Sequence, residues 1–364
     1  MEIRFASIND VYSCNKFYND YYLLNRTEKQ WVWEFSDYNR CEPLPFIITY
    51  ENSEVVATQA IIKIPFIDEK GVFWTAKSEE TLVSPVMRGK SVFEKMYDPI
   101  LSYAKNEKLL SIWGFTPAVK PFQRVGFDVP LSTKQLINFF SPVAVTKLPM
   151  YKEQNFFYKG AYFLAGLALT VKSRFSCLGK RNIVYANEAV NPVLSAKQID
   201  ESICERFISR WGGATINRDA EYMKWRVFDN PYCDCSVLGF YVEANLVAYL
   251  VYSIDIDGSG YIVDVISAHP DGKEGDDRAV KILLSEASNN IRSAGGHSIR
   301  AWSVTDHLFD QLLQRNARKQ GFTKIGLGSS AVFYADHGEG KRGTSHDDMN
   351  SWYITRLFTQ GTQG

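Results

Sequence analysis

The sequence predicts a mixed α/β protein: two tandem units, each a largely antiparallel sheet with flanking helices, joined by a helical connector. Three observations predict it. Two blocks begin with alternating, β-branched runs separated by polar turns, which is a hairpin signal. Both continue through a further strand, a helix, a compact apolar strand and a short helix ending in Gly-Phe, at Gly126-Phe127 and Gly321-Phe322. The chain has 364 residues, more than one core usually supports.

In the first block, Leu44–Tyr50 and Val55–Pro65 form the hairpin around Glu51-Asn52-Ser53-Glu54. Val72–Thr75 and Glu79–Ser84 read as further strands. Val92, Met96, Ile100 and Tyr103 recur at helical spacing, so a helix is expected from about Ser91 to Glu107. Leu109–Phe115 and Thr133–Phe140 are strands on either side of the short helix. The second block has its hairpin at Ser236–Glu243 and Leu246–Asp255, a strand at Gly260–Ser267, a helix at Ala279–Ser293 and a strand at Ser298–Val304. Asp306 is the expected N-cap of a helix over 307–319. Ala331–Ala335 and Trp352–Phe358 read as a final strand pair. The blocks share the order of their elements rather than residue identities. The expected division is 1–141, 142–181 and 182–364.

Charge exposes the connector. Lys and Arg number 41, as do Asp and Glu, so the formal net charge is zero. By segment it is −1 over 1–140, +6 over 141–181 and −5 over 182–364. A nucleic-acid partner working through bulk charge is excluded. So is a disordered acidic chain, because 45% of residues are apolar. Phe156–Val171 is apolar nearly all round a helix but too short to span a bilayer, which needs about 20 residues. It suits either burial between domains or peripheral membrane contact through 156–181, helped by Lys172, Arg174, Lys180 and Arg181. The start, Met1-Glu2-Ile3-Arg4-Phe5, reads as a strand rather than a leader, so a cytoplasmic protein is expected.

The six cysteines (14, 41, 177, 204, 233, 235) include one C-x-C pair without metal spacing, and they read as reduced and structural. The five histidines (269, 297, 307, 337, 346) have no ligand or triad spacing and read as surface or loop residues. No metal is expected. Gly326-Leu327-Gly328 reads as a turn.

The chemistry concentrates at Glu80-Thr81-Leu82-Val83-Ser84-Pro85-Val86-Met87-Arg88-Gly89-Lys90-Ser91. Ser84-Pro85 stops a strand, and Gly89 lets backbone approach a ligand. The amides of Arg88 to Ser91 open a helix N-terminus, which favours an anion, and Arg88 and Lys90 add positive charge. This strand, the V-x-P-x-x-R-G-x-S run and the later Phe122-Gln123-Arg124-Val125-Gly126-Phe127 resemble the acyl-CoA loop and second landmark of the GNAT superfamily of N-acyltransferases, in a tandem arrangement. The resemblance is specific over about residues 75–130. It implies acetyl-CoA, or another acyl-CoA, with its pyrophosphate on Arg88, Gly89, Lys90 and Ser91. Its pantetheine arm would pair along the backbone of Leu82 and Val83.

The resemblance further implies direct transfer to a small-molecule amine in a ternary complex. Glu80 is the first candidate base and Glu79 the second, on opposite faces if strand alternation holds. Phe122 stands where the family commonly has a tyrosine that protonates the leaving thiolate. The second block has an acidic loop (Asp271, Glu274, Asp276, Asp277) and Ala317 at the tyrosine position, so it is expected not to bind CoA. Asp264 there is either an acceptor contact or a structural carboxylate. By analogy the acceptor is an amino sugar in surface-polysaccharide synthesis. Trp31, Trp33, Trp74 and Trp113 would either stack on it or fill a core. The alternatives are a FemX-like aminoacyl transferase and a non-catalytic binding protein derived from the fold.

Overall fold

Alternating β-branched and aromatic residues build the first hairpins. The computed structural model describes residues 1–38, 44–148, 151, 155–177, 184–335 and 347–359. Cys41, Lys180, Arg181, His337 and His346 lie outside the described residues. β2 (Phe46–Glu51) and β3 (Glu54–Asp68) pair antiparallel around Asn52 and Ser53, both at positive φ. Short polar side chains tolerate that region best. β1 (Glu2–Phe5) adds to β2, β4 (Gly71–Val83) adds to β3, and the short β8 (Thr215–Ile216) pairs with β3 at Phe66 and Ile67. The strands expected at 72–75 and 79–84 are therefore one continuous element.

Two compact units form, and neither is contiguous in sequence. The first comprises Met1–Ser132, Ala214–Asn217 and Gly328–Asn350; the second Thr133–Gly213, Arg218–Leu327 and Ser351–Gly364. The expected divisions at 141 and 181 follow the chain, whereas each unit also takes in segments from elsewhere.

In the first unit the strand order is β1-β2-β3-β4-β5, with β5 at Ser111–Thr116. The Ser330–Ala335 part of β13 (Thr323–Ala335) follows, antiparallel to β5. Here Ala331–Ala335 pairs with β5, rather than with 352–358 as expected. Helices α1 (Val11–Tyr22) and α2 (Glu28–Val32) precede the hairpin; α3 (Val92–Asn106) and α4 (Val119–Arg124) follow β4 and β5. The helically spaced Val92, Met96 and Ile100 of α3 meet Ile61, Ile112 and Phe122 in one core. Each such burial contributes roughly 1.5–3 kcal/mol.

The second unit repeats the order. β6 (Asp128–Phe139) pairs antiparallel with β12 (Ser298–Trp302), followed by β11 (Ser259–Ser267), β10 (Asn245–Ile254), β9 (Cys235–Val242) and β7 (Glu188–Pro192). Its helices are α5 (Val143–Thr146), α6 (Phe156–Cys177), α7 (Ser202–Trp211), α8 (Ala220–Met223), α9 (Gly272–Ser293) and α10 (Leu308–Lys319). The N-cap of α10 is His307, whose Nδ1 accepts from the Phe309 amide at 3.2 Å, and not Asp306.

Candidate active site

A cleft in the first unit follows from how β4 and β5 part. They pair in parallel only through Ala76–Ile112 and Lys77–Trp113. Further along, β4 bulges: Ala60 faces Glu79 but Thr58 faces Leu82, and Glu80 takes a φ of 47°. An extra residue bends a strand and breaks its ladder. A cavity of about 550 Å³ opens beyond, between Thr81, Leu82 and Val83 on one side and Thr116, Ala118 and Phe122 on the other.

Five of the expected binding residues line this cavity: Leu82, Val83, Arg88, Gly89 and Ser91. Lys90 does not; its Nζ lies 3.6 Å from Met87 Sδ. Gly89 has a φ of +79°, and nothing lies within 4 Å of where a Cβ would stand. The position is open in space, yet a side chain there would strain the backbone. Ser91 precedes α3 in the left-handed region, and no side chain caps that first turn. Its amides are thus oriented for an anion. Tyr21 and Tyr22, at the end of α1, were not anticipated as lining residues. The Tyr21 hydroxyl accepts from Arg88 Nη2 at 2.5 Å. The only sequence signal was tyrosine at 18, 21 and 22, one helical face.

The two candidate carboxylates do not line the cavity. Glu79 is ion-paired with Lys77 and partly buried. Glu80 is buried, with its side chain 2% exposed, and meets Arg26 Nη1 at 2.6 Å through Oε2. Its Oε1 has no hydrogen-bond partner among the described residues. A second buried carboxylate, Glu34, lies 3.5 Å from the same guanidinium nitrogen. Arg26 is fixed by Asn15 Oδ1 at 2.7 Å and stacks 3.8 Å over the Tyr18 ring. Two carboxylates thus share one cation. Burial, and less strongly the charge on Glu34, push the Glu80 carboxyl up to about 7, against the pull of Arg26. Glu80 stands at the bulge, where the ladder of β4 is interrupted.

Phe122 is buried among Phe93, Tyr97 and Phe127 while its ring also walls the cavity. The nearby Tyr97 hydroxyl is engaged with Ser78 Oγ at 2.8 Å, in the core. Trp31, Trp33 and Trp113 are core residues, and Trp74 is exposed.

No protein-family model matches this sequence, and no curated protein matches it as a relative. Solved structures do match. A GCN5-related N-acetyltransferase from Anabaena variabilis ATCC 29413 superimposes with a TM-score of 0.60 at 10% identity, over 92% of this chain and 72% of that one. A GCN5-related N-acetyltransferase from Kribbella flavida gives 0.56 at 12% identity, over 92% and 71%. A probable N-acyltransferase from Enterococcus faecalis V583 gives 0.60 at 7% identity, over 92% and 72%. The fold is that of the GCN5-related N-acetyltransferases.

The second unit carries the same local plan. β11 and β12 pair only from Ser259–Ser298 to Ile262–Ala301, and β11 bulges where Val251 faces Asp264 and Tyr252 faces Ile262. Residue identities repeat as well, contrary to the expectation from sequence. Asn25-Arg26, Trp33 and Asp37 recur at the same spacing as Asn217-Arg218, Trp225 and Asp229. In both, the residue after Arg caps a short helix: Thr27 accepts from the Gln30 amide, Asp219 from that of Tyr222. In both, a π-helical turn follows, Trp33–Asp37 and Lys224–Phe228. Arg26 meets Glu80 at one bulge, and Arg218 meets Asp264 at the other.

Asp264 is a structural carboxylate. Arg218 grips it bidentately at 2.7 and 2.9 Å, Thr355 Oγ1 donates at 2.9 Å, and both charged partners are fully buried. The segment expected to be a strand, 352–358, instead packs against β11. Tyr353 donates to the Val265 carbonyl at 2.7 Å, and Trp352, Tyr353 and Ile354 are buried. Asp276, inside the first turns of α9, accepts from the His269 amide, Ser267, Arg210 and Trp211. One buried carboxylate of α9 thus ties together the ends of α7 and β11. His269, His297 and His307 stand in loops, as expected, but are buried rather than on the surface. Glu188, His269 and Asp271 come within 4.8 Å of one another, and Arg278 bridges both carboxylates at 2.6 and 2.9 Å. No helix among the described residues is long and apolar enough to cross a membrane.

Proposed function

We propose that the chain is an acyl-CoA-dependent N-acyltransferase acting on a small-molecule amine, with acetyl-CoA the first-choice donor. The observation that carries this reading is the open cleft of the first unit, walled by Leu82 and Val83 and closed by the Arg88–Ser91 loop. The co-substrate supplies an acyl group activated as a thioester. Arg88, Gly89 and Ser91 hold its pyrophosphate, and Lys90 adds positive charge beside them. The Leu82 and Val83 backbone, freed from β5, takes the extended arm. The amine attacks directly, and Glu80 accepts its proton through water, since its carboxylate lies behind the cavity wall. A carboxyl at about 7 is a base near neutrality. Glu79 is the second candidate, held by Lys77. With Phe122 lacking a hydroxyl, water protonates the departing thiolate; thiols have a pKa of about 8.5, so this is tolerable.

The test is thiol release from acetyl-CoA with a panel of amines led by amino sugars. Turnover is expected with at least one amine, reduced about 10²- to 10⁴-fold by Glu80→Gln. CoA binding without turnover across the panel would leave a binding protein instead.

A further inference from the structure

Helix α6 leaves a one-sided apolar stripe. Its buried face is set by Gly166, Thr170 and Ser173, which pack towards Val145 and Gly321. A Cβ at Gly166 would stand 2.4 Å from Val145, so that face fits closely. On the other face Leu164, Leu167, Val171 and Phe175 fall within about a quarter-turn at 100° per residue. Their exposures are 66%, 46%, 44% and 69%. All four are exposed, Leu164 and Phe175 most of all. Large exposed apolar stripes mark interaction sites.

Charge selects the occupant. The 22 residues of α6 contain Lys159, Lys172 and Arg174 and no Asp or Glu. Lys172 and Arg174 are exposed beside the stripe. The surrounding stretch 141–181 is net +6 in a chain of zero net charge. We infer that α6 lies flat on an anionic lipid surface, burying Leu164, Leu167, Val171 and Phe175 below the headgroups while Lys172 and Arg174 reach the lipid phosphates. A second copy of this chain would present the same cations and repel. The geometry is that of an in-plane amphipathic helix, in which apolar burial and cationic attraction add. The inference does not depend on the acyltransferase reading.

The test uses the full chain with vesicles of phosphatidylcholine, alone or with about 30% phosphatidylglycerol, a mimic of an anionic leaflet. Co-sedimentation should be at least about tenfold stronger with the anionic vesicles and should weaken at high salt. Leu164→Glu with Val171→Glu, and separately Lys172→Glu with Arg174→Glu, should each lower binding about tenfold or more. These side chains are exposed, so melting should be unchanged and acyl transfer in solution preserved. Failure to bind anionic vesicles overturns the inference, as does binding that both double variants leave intact. So does a concentration-dependent dimer that Leu164→Glu with Val171→Glu splits.

Discussion

The first and second units share a frame and differ in what fills it. Each has an Arg that follows an Asn in the sequence, a capped short helix, a π-helical turn and a buried carboxylate at a strand bulge, bound to that Arg. In the first unit the position eight residues after Arg26 is Glu34, a second carboxylate. In the second unit the equivalent position is Arg226. Burial, with a smaller push from the Glu34 charge, keeps Glu80 protonatable near neutrality, while Asp264 is gripped by Arg218 and Thr355. The bulged strand of the first unit lines an open cavity, whereas that of the second bonds to Tyr353. The same scaffold leaves an open cavity beside the bulge in one unit and a filled core in the other.

Removing the cation should separate the two pairs most strongly. Arg26→Met leaves Glu34 and Glu80 buried together, at a cost of about 3–5 kcal/mol near pH 8. Glu80 is raised in the folded state from 4.5 to about 7. The Glu80 contribution to stability is therefore fully present below 4.5 and is lost as pH rises through about 7. Without Arg26 that loss should deepen and extend to higher pH. Urea denaturation at pH 5 and pH 8 checks this: equal destabilisation at both would break the charge argument.

The filled strand gives a middle-sized effect. Tyr353→Phe leaves the Val265 carbonyl without its donor, destabilising the second unit by about 1–3 kcal/mol. CoA affinity at the first unit should not change. Calorimetry on the variant tests the division, and weakened CoA binding would contradict it.

The smallest effect concerns Glu34. Its charge is the weakest of the causes acting on Glu80. Glu34→Gln should therefore move the ascending limb of the pH–rate profile slightly to lower pH. Glu80→Gln should remove the limb altogether. A limb that persists in Glu80→Gln would assign the base elsewhere.

Local pattern made much of this legible. Alternation marked β2, β3, β9 and β10, helical spacing marked α3, and the strand–Pro–Arg-Gly–helix run marked the loop that lines the cavity. What depends on distant partners was hidden. The Trp352–Phe358 run is apolar enough for a strand, but its partner is a side of β11 rather than a strand edge. Ala331–Ala335 finds β5, about 220 residues earlier by position. The burial of Glu80 depends on a positive φ at the bulge, which alternation cannot reveal. The order of elements does not point to Arg26 or Glu34, whereas the Asn-Arg, Trp and Asp spacing that recurs in the sequence does. Those shared identities lie in the helices before each hairpin.

The central claim is one open acyl-CoA site in the first unit and a filled counterpart in the second. Calorimetric titration of CoA into the intact chain tests it directly. One site per chain is predicted, lost in Gly89→Glu, which sets a carboxylate and a strained side chain on the cationic loop. Two sites per chain, or unchanged heat with Gly89→Glu, would contradict it.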